Sequence, residues 1–294
     1  MSNRILVVGA NGMLGGSLFR YLSKIPAFEV LGTVRSTEAK FALDQQGFAK
    51  IASGVDVTDF QTITKVISDF KPNYVLNCVG VIKQLDASRA PVPSIQINSL
   101  LPHQLANACD EADAKLIHFS TDCVFAGTKG GYLENDITDA TDLYGKSKSL
   151  GEITAKNFFN IRTSIIGKEI KGYKSLYDWF LSQEKNSKIN GFTNHLWNGL
   201  TTRAYGHILI SIIENKIKLP NKIHICPKNL ITKYEMLKLF NDKNPSKKII
   251  IKPISARIKI NRTISTKYKK ISDLIWKKSK YKKTPTINEL IKEI

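Results

Sequence analysis

The feature that most constrains this chain is the string Gly9-Ala10-Asn11-Gly12-Met13-Leu14-Gly15, set between an apolar run at residues 5–8 and a helical pattern at 13–23. A glycine-spaced turn that leaves a strand and opens a helix is the fingerprint of a dinucleotide-binding βαβ unit. Gly9 permits the tight turn, Gly12 lets a pyrophosphate approach the backbone, and Gly15 lets the helix pack against the sheet. The helix N-terminus then offers free N–H groups and a partial positive charge to the phosphates. Asn11, Met13 and Leu14 belong to the same cofactor-facing turn.

The following residues continue this alternation. Strands are expected at 30–34, 54–57, 74–78, 116–120 and 158–163, and helices at 60–70, 95–112 (with Pro102 inside) and 144–155. Continuously apolar strands alternating with amphipathic helices predict a parallel sheet covered on both faces. The expected fold is therefore α/β: a Rossmann-type doubly wound parallel sheet with a smaller C-terminal substrate-binding domain. Between 165 and 200 the periodicity fades, which predicts a loop-rich binding segment. A helix is expected at 204–213, a last strand at 222–226, and a helix at 232–240 with Thr232 and Glu235 as a capping box. The expected division is 1–164 with 200–228 for the dinucleotide domain, and 165–199 with 229–294 for the substrate domain.

The second strand should end beside the adenosine ribose, where a carboxylate favours NAD and an arginine accepts the 2′-phosphate of NADP. Arg35 stands there with no acidic residue before Glu38, so NADPH is the expected cofactor, with NADH as the second choice.

Tyr144 and Lys148 lie four residues apart at the start of a helix, on one face. A neighbouring ammonium stabilises a phenolate and makes the phenol a better proton donor. In carbonyl reduction Tyr144 would protonate the oxygen, while Lys148 would also hold the nicotinamide ribose. A second hydroxyl donor is expected at the end of strand five, from Ser120 or Thr121.

These strings resemble the extended short-chain dehydrogenase/reductases. The match rests on the glycine turn, Asn77-Cys78-Val79-Gly80, Ser120-Thr121-Asp122-Cys123-Val124-Phe125-Ala126-Gly127 and Tyr144…Lys148. Within that group the chain is most similar to the dTDP-4-dehydrorhamnose reductase family, to which Arg162-Thr163-Ser164 and Arg262-Thr263-Ile264-Ser265 also conform. The resemblance implies Thr121, Tyr144 and Lys148 as catalytic residues. It places Asp56 and Val57 near the adenine, and Cys78, Val79 and Gly80 along the cofactor. It implies reduction of the 4-keto group of a nucleotide-activated 6-deoxy sugar, dTDP-linked or a UDP-linked 2-acetamido sugar, for surface polysaccharide. Sugar 4,6-dehydratases of the superfamily carry Glu after the Asp that follows the catalytic Thr; Cys123 stands there, so dehydration is disfavoured. A cysteine at this place serves GDP-fucose synthase as an epimerising base, but no histidine follows strand six, so Cys123 reads first as a small buried residue. A bifunctional epimerase/reductase and a non-catalytic NADP-binding regulatory subunit stand as alternatives.

Substrate contacts are expected from Trp197 and Arg203, with Lys83 beyond the cofactor strand as a further candidate. Tyr173, Tyr177, His195, Asn198, Thr201 and Thr202 share the irregular segment. An arginine there would pair bidentately with a diphosphate.

Charge is uneven. Residues 1–160 carry 15 Lys+Arg against 16 Asp+Glu, and the remainder 29 against 9, within a net charge of +19. Such a field steers an anionic substrate, and it is read that way, without a nucleic-acid partner. The basic tail from Lys247 keeps Ile271, Leu274, Ile275 and Trp276, too much apolar material for a disordered segment; these residues are expected to close the substrate domain instead of lying on a membrane surface. Four scattered cysteines without metal-ligand spacing argue for reduced thiols and no metal. No run resembles a signal-peptide core or a membrane span. A cytoplasmic location is the expectation, with no membrane insertion and, by the resemblance, a homodimer.

Overall fold

The structure is a computed structural model that describes residues 2–45, 47, 50–82, 90–170 and 175–294. The chain forms two compact units. The first comprises Met1–Val124, Thr141–Arg162 and Lys218–Ile223; the second comprises Phe125–Ala140, Thr163–Ile217 and His224–Ile294.

Unit 1 is built on β1 (Asn3–Val8), α1 (Met13–Leu22), β2 (Phe28–Thr33), α2 (Thr37–Asp44), β3 (Ile51–Ala52), α3 (Phe60–Phe70) and β4 (Tyr74–Asn77). A short helix α4 (Pro91–Ser94), a π-helical stretch at Ile95–Leu100 and α5 (Leu101–Glu111) follow, then β5 (Lys115–Ser120), α6 (Leu143–Leu150) and β6 (Phe158–Arg162). The sheet has seven strands in the order Lys222–His224, β6, β5, β4, β1, β2, β3. Its pairs from β3 to β6 are all parallel, with Ile5 level with Val30 on one side and Tyr74 on the other. The middles of the strands are mainly apolar because both faces are covered; Ile5, Leu6, Val7 and Val8 have no exposed surface. The order reverses between β1 and β4. That switch point opens a crevice at the carboxyl ends of the strands, where ligands bind in such sheets. The turn after β1, the residues after β4 and Thr121 after β5 all leave at this edge.

Several local expectations are corrected. The third strand is Ile51–Ala52, paired with Gly32 and Thr33, not residues 54–57. Gly54 turns the chain with φ +76, and Asp56 accepts from the Thr58 amide and hydroxyl, so these residues form a loop. Helix α2, capped by Ser36, was not expected. The helix expected at 95–112 begins at Pro91 and runs through the π stretch; Pro102 falls in the first turn of α5. Proline is tolerated there because the wider π turn has already released the i−4 ladder. Helix α6 stops at Leu150 instead of 155. A Cβ on Gly151 would collide with the Asn98 carbonyl oxygen, and Ile153 instead exchanges two hydrogen bonds with the Asn160 side chain.

Unit 2 has a separate core of Ile166, Tyr177, Phe180, Trp197, Met236, Leu237, Phe240 and Ile287. Its helices are α7 (Leu176–Ser182), α8 (Thr202–Glu214), α9 (Lys233–Lys243), α10 (Lys269–Lys278) and α11 (Ile287–Ile291). The segment expected to be loop-rich instead supplies strands: Lys188–Phe192 pairs with Ile250–Ile254, and His195–Trp197 pairs with both Ile260–Asn261 and Ile231–Thr232. Their partners lie far along the chain, which is why local periodicity did not reveal them. The capping box at Thr232 and Glu235 is present. Of the apolar residues in the basic tail, Ile275 and Trp276 are fully buried, as expected, whereas Ile271 is half-buried and Leu274 is exposed. Among the described residues no helix is long and apolar enough to cross a membrane.

The units differ from the expected division at residues 125–140, 163–164, 200–217 and 224–228, all of which fall in unit 2. Residues 125–140 belong to unit 2: Phe125 stacks on Tyr132 at 4.1 Å, Arg262 donates to the Phe125 carbonyl, and Glu134 accepts from Thr266, Lys267 and His224. Helix α8 also belongs there, tied to α10 by Ser211 donating to the Ile275 carbonyl at 2.9 Å.

Candidate active site

The turn after β1 has the geometry its glycines require. Gly9 has φ +85, a conformation that a side chain strains against. A Cβ on Gly15 would sit on the Gly9 carbonyl oxygen, so only glycine lets α1 close against the turn. Gly12 caps α1 without any side-chain acceptor, leaving first-turn N–H groups of the helix for a ligand. Asn11 and Gly12 are exposed and Met13 is half-buried; Leu14 belongs to the core, so only its backbone is available to a ligand.

The rest of the expected cofactor line borders this turn. Arg35 is exposed just past β2, and its charge acts on Asp56, whose carboxyl is held below the usual range chiefly by the two Thr58 hydrogen bonds. Val55 donates to the Val34 carbonyl, which keeps Asp56 and Val57 alongside the end of β2. Cys78 donates to the Val8 carbonyl, and Val79 lies close under Gly9. Gly80 is exposed beside the Asn98 amide. The glycine cradle, the uncapped helix start and the exposed arginine together fit a dinucleotide carrying a 2′-phosphate.

Tyr144, Lys148 and Thr121 come together in unit 1. Asp142 caps α6 by accepting from the Gly145 amide at 2.9 Å, which starts the helix just before Tyr144. The Tyr144 phenol is half-buried. Burial raises its pKa, as does the nearby Cys123, while a hydrogen bond with the Thr121 side chain works the other way. Lys148 is 5% exposed, and its Nζ donates to the Phe119 carbonyl at 2.8 Å and lies 3.1 Å from His118 Nε2. Burial pushes the Lys148 ammonium down to about 8, against the charges of Glu152 and Cys78. A lysine buried beside a tyrosine and a threonine is a site for moving a proton onto a carbonyl oxygen.

The choice between Ser120 and Thr121 is decided by Glu152. Ser120 donates to Glu152 Oε1 at 2.7 Å and faces the interior, whereas the Thr121 hydroxyl accepts from the Cys123 amide at 3.1 Å and reaches Tyr144. Cys123 is half-buried next to Tyr144, nearer the site than a small buried residue need be.

Unit 2 gives the expected substrate residues other engagements. Trp197 is 4% exposed in the core, with its indole N–H donated to Ser164 Oγ at 2.8 Å. Arg203 donates to the Glu293 carbonyl at 3.1 Å and lies 3.7 Å from its carboxylate. Tyr177 packs edge-on against Phe240, His195 bonds the Ile258 carbonyl, and Asn198 bonds the Ile264 backbone. Thr201 caps α8, and Thr202 lies against Gly167. Lys83 and Tyr173 lie outside the described residues.

Sequence reasoning passed over three residues of this site. Asn98 accepts from the Val81 amide and donates to the Val81 carbonyl and Ser147, tying the segment after β4 to α6. Glu152 holds Arg162 through two hydrogen bonds and also meets Lys222. His118 sits against Lys148. Glu152 repeats the four-residue step from Tyr144 through Lys148, a signal that was available; His118 is one polar residue in an apolar strand and carries no local signal.

The sequence model of the family described as RmlD substrate binding domain matches residues 3–293. Over 147 residues the chain is 32% identical to a probable low-salt glycan biosynthesis reductase of Haloferax volcanii, an alignment covering 50% of this chain and 46% of that protein. A dTDP-4-dehydrorhamnose reductase of Aggregatibacter actinomycetemcomitans is 33% identical over 150 residues, 51% of this chain and 45% of the relative. The beta subunit of methionine adenosyltransferase 2 of Rattus norvegicus is 29% identical over 151 residues, 51% and 42%. The chain thus spans about half the length of the curated relatives it matches. The crystal structure of a Bacillus anthracis dTDP-4-dehydrorhamnose reductase in complex with NADP superposes with a TM-score of 0.78 at 18% identity, covering 100% of this chain and 98% of the other. At that identity the likeness establishes the shared fold.

Proposed function

The chain belongs to the RmlD substrate binding domain family, and from that premise we propose that it reduces the 4-keto group of a nucleotide-activated 6-deoxy sugar. The observation that carries this reading is the hydrogen bond between the Thr121 side chain and Tyr144, with Lys148 buried one helical turn further on. The relatives support it, since two of the three are named reductases and one of these acts on a dTDP-linked keto sugar. The substrate is a dTDP-4-dehydrorhamnose or a UDP-linked 2-acetamido-4-keto sugar, as for surface polysaccharide.

When bound, NADPH supplies the hydride that adds to the carbonyl carbon. The turn from Gly9 to Gly15 would hold its pyrophosphate, Arg35 its 2′-phosphate, Asp56 and Val57 its adenine, and Cys78, Val79 and Gly80 its length. Tyr144 gives a proton to the substrate oxygen as negative charge gathers there. Thr121 donates a hydrogen bond to the same oxygen, and Lys148 orients the ribose while favouring loss of the tyrosine proton. Arg203 stays in the proposal as a diphosphate partner that exchanges Glu293 for the ligand. Trp197 makes no substrate contact, because its ring and N–H are already committed to the core of unit 2. The reading places the protein in the cytoplasm as a homodimer without a nucleic-acid partner.

Cys123 beside Tyr144 favours one second reading, an epimerase/reductase in which the thiolate removes a ring proton. The similarity to a methionine adenosyltransferase beta subunit favours another, a non-catalytic NADP-binding subunit.

A turnover screen over 4-keto nucleotide sugars, with NADPH and NADH in parallel, tests all three. The reductase predicts turnover that Tyr144→Phe lowers by roughly 10²–10⁴-fold with cofactor binding retained, and an NADPH preference that Arg35→Ala erodes. Deuterium from solvent entering the ring carbons, lost in Cys123→Ser, would establish the epimerase. Cofactor binding without turnover on any sugar would establish the regulatory subunit.

A further inference from the structure

His118 stands in β5 with its ring buried and both nitrogens engaged. Nδ1 lies 3.1 Å from the Asn77 amide nitrogen, and Nε2 lies 3.1 Å from Lys148 Nζ. The ends of this chain of contacts determine its direction. The Val79 backbone N–H can only donate, and it donates to Asn77 Oδ1 at 3.2 Å. The amide orientation follows: the Asn77 NH2 faces His118, and Nδ1 must accept. Burial in the sheet keeps the ring neutral, so its single proton is on Nε2. That N–H points at Lys148 Nζ. An ammonium has no lone pair to receive it, whereas an amine has one. Lys148 in turn donates to the Phe119 carbonyl at 2.8 Å.

We propose that Asn77 and His118 are positioning residues that favour the amine form of Lys148 and couple its protonation to the tautomer of His118. With Lys148 an amine, each group from Val79 to Phe119 donates to the next. An ammonium forces the His118 proton onto Nδ1 and the Asn77 amide to turn over, which surrenders the Val79 bond.

The other groups facing Lys148 favour its charged form and so oppose this preference. Glu152, paired with Arg162 and Lys222, acts to raise Lys148, and the Cys78 thiol beside it is itself pushed up by burial. His103 bonds the Leu150 carbonyl. The catalytic meaning rests on the reductase reading: Tyr144 donates its proton best with Lys148 charged, so the alkaline limb of the rate follows Lys148.

The test is ¹⁵N NMR of the histidine ring and lysine side-chain nitrogens in the full-length chain, wild type and Asn77→Asp. An aspartate at this place accepts from both Val79 and His118 Nδ1, which frees Nε2 to receive an ammonium proton. At pH 9.5 wild type should show His118 protonated on Nε2, and Asn77→Asp should show the proton on Nδ1. The Lys148 titration should rise in the variant by about one pH unit, and the alkaline limb of turnover should move with it. A wild-type His118 protonated on Nδ1 at that pH would overturn the proposal, as would an unchanged Lys148 titration in folded Asn77→Asp. If the variant does not fold, the wild-type ring spectrum decides alone. Loss of the reductase reading would show separately, as full turnover by Tyr144→Phe, and would leave the His118 tautomer standing.

Discussion

Thr121 and Tyr144 are hydrogen-bonded through their side chains, while Ser120, one residue earlier, is turned inward to Glu152. Successive residues leaving a strand point to opposite sides, so one hydroxyl serves the crevice and the other the interior.

That separation predicts opposite phenotypes for the two hydroxyls. Thr121→Val should lower turnover by roughly 10²–10³-fold, the scale of one lost donor at a developing oxyanion, with little change in unfolding free energy. Ser120→Ala should keep most turnover and cost about 1–3 kcal/mol, because it leaves the buried Glu152 short of a donor. Steady-state kinetics and urea unfolding on both variants check this; equal losses of turnover would contradict it.

Gly15 admits no side chain, because a Cβ would occupy the place of the Gly9 carbonyl oxygen. Gly15→Ala should force α1 away from the turn at a cost of about 1–3 kcal/mol and weaken cofactor binding at least as much. Fluorescence titration with NADPH reads the second effect. An unchanged dissociation constant would mean that the turn does not hold the cofactor.

Lys148 makes stability depend on pH. Its folded pKa is pushed down to about 8 from 10.5, so between those values the unfolded chain binds more protons than the folded one. Stability from this group therefore rises with pH across that window, and the penalty is fully present below pH 8. Wild type should gain about 3 kcal/mol over Lys148→Met between pH 7 and pH 10.5, as measured by urea unfolding of both proteins. A constant difference would refute the low pKa.

Glu152 and Arg162 are both shut off from water, with Nε to Oε1 at 2.5 Å and Nη2 to Oε2 at 2.6 Å. Burial pushes the carboxyl up, but the hydrogen bonds and charge of Arg162, with Lys222, outweigh it and hold the net value low. Its stabilisation is present above the ordinary glutamate range and is lost as pH falls through the lowered value. Glu152→Gln should cost about 3–5 kcal/mol at pH 7 by stranding a buried guanidinium, and less in acid. Unfolding at the two pH values would show whether the loss shrinks.

The sequence by itself determined the features that depend on short range. Gly9 and Gly15 are dictated by a turn whose contacts lie within a few residues and β4. The four-residue step places Tyr144 and Lys148 on one helix face, and the apolar runs of β1, β4 and β5 identify a doubly covered parallel sheet. Tertiary structure decided what depends on distant partners. Gly151 ends α6 because Asn98 lies against it, Ser120 is excluded from the site because Glu152 receives it, and Trp197 is core because Ser164 takes its N–H. The strand Lys188–Phe192 exists because Ile250–Ile254 comes to lie beside it. His118 meets Lys148 only when β5 and α6 are folded together. Periodicity reports which face of an element is apolar, but not which element will cover it, and at this site the covering elements assign the proton.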